Sequence, residues 1–332
     1  MATNRRVTLA ARPEGFPKES DFVVDEVNVP GPGTGEVLVR VQYASVDPYQ
    51  RGRMSEARSY AQPLEIGDVI TSQGLGEVVE SNDGRFSPGD VVVGQLGWQE
   101  YAVARAGSLR QVPPGLKPTT LALHVLGTTG LTAYFGLFEV GRPRPGDTVV
   151  VSGAAGAVGQ VVGQLAKIAG CRAVGIAGGP EKKADLTDYY GFDAAIDYKA
   201  DDVRAELKAG CPNGVDVYFD NVGGEISQAV HARLNVGARI AICGQVSQYN
   251  LEQPQPTFHP GLLVVYRARM EGFLIYDYAH RFGEAIPRLA AWVAEGRIRY
   301  KEDVLEGIER APEAFLRMLR GENQGKQLVR VA

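Results

Sequence analysis

Glycines at 153, 156 and 159, within Ser152 to Lys167 (SGAAGAVGQVVGQLAK), are the residues whose spacing most directly implies chemistry. They lie between an apolar run, Asp147 to Val151, and a segment carrying Val158, Val161, Val162, Leu165 and Ala169 at helical spacing. A strand, a turn almost without side chains and a helix N-terminus aim backbone N–H groups and a helix dipole at a dinucleotide pyrophosphate. Alone, the motif is only moderately specific: Ala154 stands where the commoner fingerprint has glycine, and small residues also serve tight strand-to-helix packing. A second apolar strand ending in glycines, Cys171 to Gly179, completes the start of a βαβ unit.

The end of that strand bears on which nicotinamide cofactor is bound. A free ribose 2′-hydroxyl is usually held by Asp or Glu about 20 residues beyond the glycine turn, and such a carboxylate would repel a 2′-phosphate. This chain has Gly178 and Gly179 there, followed by Lys182 and Lys183. A cation beside a glycine-opened pocket suits a phosphate dianion, so the expected cofactor is NADP(H). Glu181 keeps open the plainer reading of a solvated helix start.

The elements that must position these residues follow from length and pattern. A chain of 332 residues exceeds what one core usually fills, so two domains are expected. The net charge of −4 argues against nucleic acid as a partner. The three cysteines, Cys171, Cys211 and Cys243, are scattered beside or within apolar runs, which favours a reducing compartment and a soluble cytoplasmic protein over a disulfide framework. No apolar run is long enough to span a bilayer, and the N-terminus lacks the apolar stretch of a signal peptide.

Residues 1 to about 125 are punctuated by Pro and Gly, with strand candidates at 37–41, 78–80, 91–93 and 101–104, and read as a mostly β domain. From 126 to 298 the rhythm becomes helix, strand, glycine turn, helix, strand, which reads as an α/β fold, a doubly wound parallel sheet. Helices are expected at about 281–295 and 312–320, stopped by Gly296 and Gly321, and the strand-like QLVRV returns residues 299–332 to the first domain.

Collinear motifs run through nearly the whole chain: DPYQRGRM at 47–54, GTTGLTAY at 127–134, SGAAGAVG at 152–159, EKK at 181–183, DYK at 197–199, FDNVGG at 219–224, CGQVSQYN at 243–250, MEGF at 270–273 and GENQGK at 321–326. Together they resemble the zinc-free medium-chain dehydrogenase/reductases, in the branch of leukotriene B4 dehydrogenase, prostaglandin reductase and alkenal double-bond reductase that includes bacterial curcumin reductases. The resemblance implies a GroES-like β domain, a Rossmann domain and a homodimer. It places Lys182 and Tyr198, beside Gly178, at the 2′-phosphate, and Ala155, Gly156, Ala157, Val158 and Gly159 at the pyrophosphate. It puts Asn221, the turn Cys243, Gly244, Ser247 and Tyr249, the segment Phe273 to Ile275, and Asn323 along the nucleotide and nicotinamide. Two departures stand out: Gln50 where Met is usual, which bears on substrate range, and Gly153 where eukaryotic members have Ala.

Zinc-dependent members polarise a carbonyl through a Cys/His-bound metal, and neither the cysteines nor His124, His231, His259 and His280 show ligand spacing. The hydride acceptor should then carry its own activation, as a C=C conjugated to a carbonyl does, because hydride at the β-carbon generates an enolate that donors can stabilise. Tyr249 is the first candidate donor, its phenol neutral near pH 7 with a free pKa of about 10. Tyr49, behind Pro48, is the second. Each has a plainer alternative, pocket closure or cofactor stacking for Tyr249 and domain packing for Tyr49.

Other residues carry structural expectations. Arg51 and Arg53 are read as solvated loop arginines, Thr128 and Thr129 as a helix cap, Asp216 and Asp220 as strand-end or turn residues. Asn221 ends a strand where its carboxamide could hold ribose or nicotinamide. Strands near 261–266 and 268–275 are expected to pair across a two-fold axis, and loops 54–63 and 253–261 to shape the substrate pocket.

The leading expectation is therefore an NADPH-dependent reductase of α,β-unsaturated aldehydes and ketones without a metal cofactor. A metal-free NADPH quinone reductase of the same superfamily is the near alternative. A non-catalytic NADPH-binding or sensing protein is the distant one.

Overall fold

A computed structural model describes residues 2–331 apart from Pro254, Pro256 and Thr257. The chain opens with a hairpin, β1 (Thr3–Leu9) antiparallel to β2 (Phe22–Asn28). In β3 (Glu36–Ser45), Val37, Val39 and Val41 are all wholly buried, since alternate side chains of an extended backbone share a face. A single helical turn, α1 (Tyr49–Arg53), follows. Then β4 (Gln73–Ser81), β5 (Val91–Gln95), β6 (Tyr101–Arg105) and the short β7 (Arg110–Gln111) join the sheet, with β3 antiparallel to both β4 and β6. The four expected strand segments lie inside these elements; the opening hairpin was not foreseen.

A second unit spans His124–Lys301. Its first helix, α2 (Thr128–Phe135), leads to β8 (Thr148–Ser152), buried at every residue. Strand and helix then alternate through α3 (Gly159–Ile168), β9 (Arg172–Ala177), α4 (Pro180–Ala184), β10 (Ala194–Asp197), α5 (Val203–Gly210), β11 (Val215–Asp220), α6 (Gly224–His231) and β12 (Leu234–Ile242). After α7 (Gly261–Tyr266) and the edge strand β13 (Arg269–Gly272), α8 (Phe282–Ala294) ends at Gly296, φ +70°. All pairings are parallel, in the order β10-β9-β8-β11-β12-β13, which is the doubly wound Rossmann sheet. The strand order reverses between β8 and β11, and a dinucleotide binds at the carboxyl ends of such strands.

Two expectations are corrected here. Residues 261–266 form a helix: Pro260 enters at φ −56°, Leu263 N–H donates to the Pro260 carbonyl, and Arg267 closes the turn at φ +48°. A run of six apolar residues carries too little periodicity to separate helix from strand. The second segment of that pair is a strand only over Arg269–Gly272.

The chain returns to the first unit, which comprises Met1–Leu123 and Glu302–Ala332. There β14 (Glu302–Glu306), α9 (Ala311–Leu319) and β15 (Lys326–Arg330) complete it, β15 lying parallel to β14 and antiparallel to β3. Passage between the units falls at 123/124 and 301/302 rather than 125/126 and 298/299. Residues 299–301 stay with the Rossmann unit because buried Gln164 and Gln160 on α3 accept the Arg299 and Lys301 N–H groups at 2.7 and 2.9 Å. Among the described residues no helix is long and apolar enough to cross a membrane.

Candidate active site

Close backbone approaches build the glycine turn. Gly153 leaves β8 at φ +59°, in the left-handed region. A Cβ at Gly159 would strike the Gly153 carbonyl and lie 2.7 Å from Ala154 Cα, so α3 can start this near the strand end only with glycine. The turn through Ala155, Gly156, Ala157 and Val158 is tightened by Gly156 N–H donating to the Gly153 carbonyl at 3.0 Å. Val158 caps α3 without a side-chain hydrogen bond, so no cap side chain competes with an external anion at this positive end. His124, wholly buried, backs the turn: its Nε2 lies 3.3 Å from the Ala157 carbonyl and its ring meets Tyr300 edge-on.

At the end of β9, Gly178 meets Tyr198. A Cβ on Gly178 would lie 2.7 Å from the Tyr198 ring, so glycine is what admits that side chain. Lys182 stands half-buried on α4 close by in sequence. Its neighbour Lys183 is committed to Asp201, Nζ to Oδ2 at 2.7 Å, a hydrogen bond that raises the lysine pKa. The carboxylate nearest in sequence to Tyr198, Asp197, is buried and accepts the Gly179 and Lys199 N–H groups at 2.8 and 3.0 Å. It is thus satisfied by backbone, and the corner suits a 2′-phosphate.

Two further turns leave the adjoining strand ends. Asn221, after β11, donates from Nδ2 to the Ser152 carbonyl at 2.7 Å. One Nδ2 proton is thereby committed to β8, which fixes the orientation of the carboxamide at this strand end. After β12, Gln245 N–H donates to Tyr249 Oη at 3.3 Å, and a Cβ on Gly244 would lie 3.0 Å from the same oxygen. The phenol is therefore held over its own turn, and an N–H donated to its oxygen strengthens its O–H as a donor. Ser247 Oγ donates to the Val222 carbonyl at 2.6 Å. Burial, reinforced by the Asp220 charge, pushes the Cys243 thiol up to about 12. The Phe273 ring packs edge-on to Phe219 with centroids 6.1 Å apart, and Ile275 is buried.

The first unit holds the remaining candidates. Tyr49 opens α1 with its Oη shielded from solvent, and Asn323 Nδ2 donates to the Gly325 carbonyl at 2.8 Å. Two residues before Tyr49, Asp47 belongs to a buried group the sequence reading did not anticipate. Lys326 Nζ donates to Asp47 Oδ1 at 3.0 Å and to the carbonyls of Val46 and Gln327, while Ser45 Oγ donates to Asp47 Oδ2. Gln50 is wholly buried, its Oε1 accepting Asp47 N–H at 2.9 Å and its Nε2 donating to the Thr71 carbonyl at 2.8 Å. This departure from the family pattern ties the start of α1 to Asp47 and to Thr71.

Arg51 corrects a further expectation. It is buried, with Nη2 donating to the carbonyls of Pro13 and Gly15 at 3.2 and 3.0 Å. Nor do Thr128 and Thr129 cap α2: Gly127 is the cap residue, and Thr129 Oγ1 donates to the His124 carbonyl at 3.0 Å. Asp216 lies at the start of β11, one of the strand-end residues expected, and accepts Thr148 N–H at 2.8 Å. Of the loops expected to shape the pocket, 253–261 includes Pro254, Pro256 and Thr257, which lie outside the described residues.

Comparison with known proteins bears on the family and the fold. Residues 5–112 match the family model described as the N-terminal domain of oxidoreductase, and 157–291 the one described as zinc-binding dehydrogenase. Among the described residues, no group of three or more His, Cys, Asp or Glu could hold a metal ion. The chain is 44% identical to the NADPH-dependent curcumin reductase of Escherichia coli over 99% of this chain and 97% of that one. It is 41% identical to the NADP(+)-dependent 2-alkenal reductase of Nicotiana tabacum, covering 99% and 98%. The crystal structure of CurA in complex with NADPH from Vibrio vulnificus superposes with a TM-score of 0.95, at 43% identity over 99% of both chains.

Sheet order and glycine turn, together with these relatives, define an NADP(H)-dependent oxidoreductase. The chain belongs to the medium-chain dehydrogenase/reductases, in the zinc-free branch of the curcumin, alkenal and prostaglandin reductases.

Proposed function

We propose that this protein reduces the C=C bond of α,β-unsaturated aldehydes and ketones with NADPH. The observation that carries the reading is full-length likeness to reductases named for curcumin and 2-alkenals, molecules that share a C=C conjugated to a carbonyl. When bound, the reduced nicotinamide supplies the hydride, which the conjugated β-carbon accepts.

The chain's own residues bind and stabilise. Gly156 to Gly159 take the pyrophosphate on backbone N–H groups, and Lys182 and Tyr198 hold the 2′-phosphate. Asn221 has its Oδ1 left to offer the cofactor, since Nδ2 is tied to Ser152. Tyr249, with its oxygen already accepting Gln245 N–H, donates to the oxygen of the developing enolate and relays the proton that reaches the α-carbon. Tyr49, on the helical turn that the Asp47–Gln50 and Asp47–Lys326 bonds anchor, is the second donor, and Asn323 a further cofactor contact.

The working form is a homodimer of the cytoplasm. Support comes from the sheet edge at β13 and the exposed apolar residues of α7, Val264 at 78% and Val265 at 61% exposure; a single-chain mass by light scattering would reject the dimer. The test of the activity is NADPH oxidation by purified protein with an alkenal, an aryl enone or a benzoquinone. Enal- and enone-dependent turnover giving the saturated carbonyl supports the reading. Turnover with the quinone alone overturns it.

A further inference from the structure

Asp220, the last residue of β11, is 1% exposed and accepts hydrogen bonds from every side. Its Oδ1 receives Ser152 Oγ at 2.9 Å, Tyr218 Oη at 2.8 Å, and the N–H groups of Val222 and Gly223 at 2.9 Å each; Oδ2 receives Ser227 Oγ at 2.6 Å. Its backbone carbonyl accepts the N–H groups of Cys243 and Gly244 at 2.8 and 3.1 Å. Ser152 Oγ in turn accepts Asn221 N–H at 2.9 Å.

One residue thus ties together three strand ends. Ser152 closes β8 just before the glycine turn, Val222 and Gly223 lead into α6, and Cys243 and Gly244 follow β12 at the root of the turn carrying Tyr249. β8 and β11 are the strands between which the order reverses, where the dinucleotide crosses the sheet. A carboxylate is the one side chain of this length that only accepts, so an amide would point N–H donors at donors already in place.

We propose that Asp220 is a positioning residue that sets the spacing between the glycine turn, which takes the pyrophosphate, and the Cys243–Tyr249 turn, which takes the nicotinamide end. Enclosed on all sides, it acts on Ser152 through its carboxylate and on Gly244 through its main-chain carbonyl. The adenosine corner at Gly178, Lys182 and Tyr198 lies beyond its reach, being built on β9 and β10.

The test uses the full-length protein and binding alone, so its outcome is independent of which acceptor is reduced. Dissociation constants are measured for NADPH, NADH and adenosine 2′-monophosphate with wild type and Asp220→Asn. The expected result is a tenfold or larger weakening of NADPH, an equal factor for NADH, and adenosine 2′-monophosphate within twofold of wild type. Unchanged NADPH binding overturns the proposal, as does parallel weakening of adenosine 2′-monophosphate, the mark of general loosening. Should Asp220→Asn fail to fold, Ser152→Ala keeps the carboxylate and cuts only its tie to the glycine turn. A threefold to tenfold loss for NADPH with adenosine 2′-monophosphate unaffected then supports the proposal, and equal affinities overturn it.

Discussion

Lys326 Nζ lies 3.0 Å from Asp47 Oδ1 inside the N-terminal unit, joining segments 279 residues apart in sequence. Burial lowers the lysine pKa and the Asp47 charge opposes that shift, so the buried ammonium depends on the carboxylate beside it. Breaking a buried pair from one side leaves an uncompensated charge and costs about 3–5 kcal/mol. Lys326→Met should therefore lower stability in urea by that amount, and Asp47→Asn in the same chain should restore most of it. A loss below about 1 kcal/mol for Lys326→Met would remove the pair from the account of how the Tyr49 turn is held.

Lys182→Ala should weaken NADPH by about tenfold to a hundredfold, the worth of a hydrogen bond to a charged group, and leave NADH nearly unchanged. Tyr198, in contact with Gly178, predicts the same selectivity at smaller size. Titration of both cofactors by fluorescence decides it, and equal losses would contradict the assignment of this corner.

The thiols give a pH prediction. Burial raises Cys171 and Cys211 to about 11, and Cys243 to about 12. Folded values above the unfolded value of 9.0 mean that the folded state keeps its thiol protons longer, so this contribution is whole below pH 9 and fades as pH climbs towards 12. At pH 8 a thiol raised from 9.0 to about 11 has a thiolate fraction about a hundredfold lower, so iodoacetamide should label Cys171 and Cys211 of the native protein far more slowly than in urea. Comparable rates would show that the cysteines are exposed.

Much of this fold is legible in the sequence, since the strands are valine-rich runs bounded by glycine and proline, and Gly153, Gly156 and Gly159 announce the switch from strand to helix. What escapes is long-range. Nothing near Lys326 says that a lysine will be wholly enclosed, because its partners arrive from the β3–α1 loop. Arg51 reads as a loop cation until Pro13 and Gly15 bring their carbonyls to it. Asp220 and Asp216 look alike at the two ends of one strand, and only their folded neighbours distinguish them: the former accepts five donors from β8, β11, the following loop and α6, the latter a β8 amide and Asn235 Nδ2.

Tyr249→Phe removes the donor while keeping the ring. It should lower kcat for an enone by about a hundredfold, the lower end of the range for a positioned acid, with NADPH affinity unchanged. Wild-type kcat in this variant would return the proton to water or the cofactor ribose.

The central claim is that hydride reaches the β-carbon of a conjugated carbonyl. It is tested most directly by turnover of an α,β-unsaturated ketone with NADPH carrying deuterium at both C4 positions, followed by mass and NMR analysis of the product. The account predicts a saturated ketone with deuterium on the β-carbon and a solvent proton on the α-carbon. Deuterium on the carbonyl carbon of an allylic alcohol would contradict it.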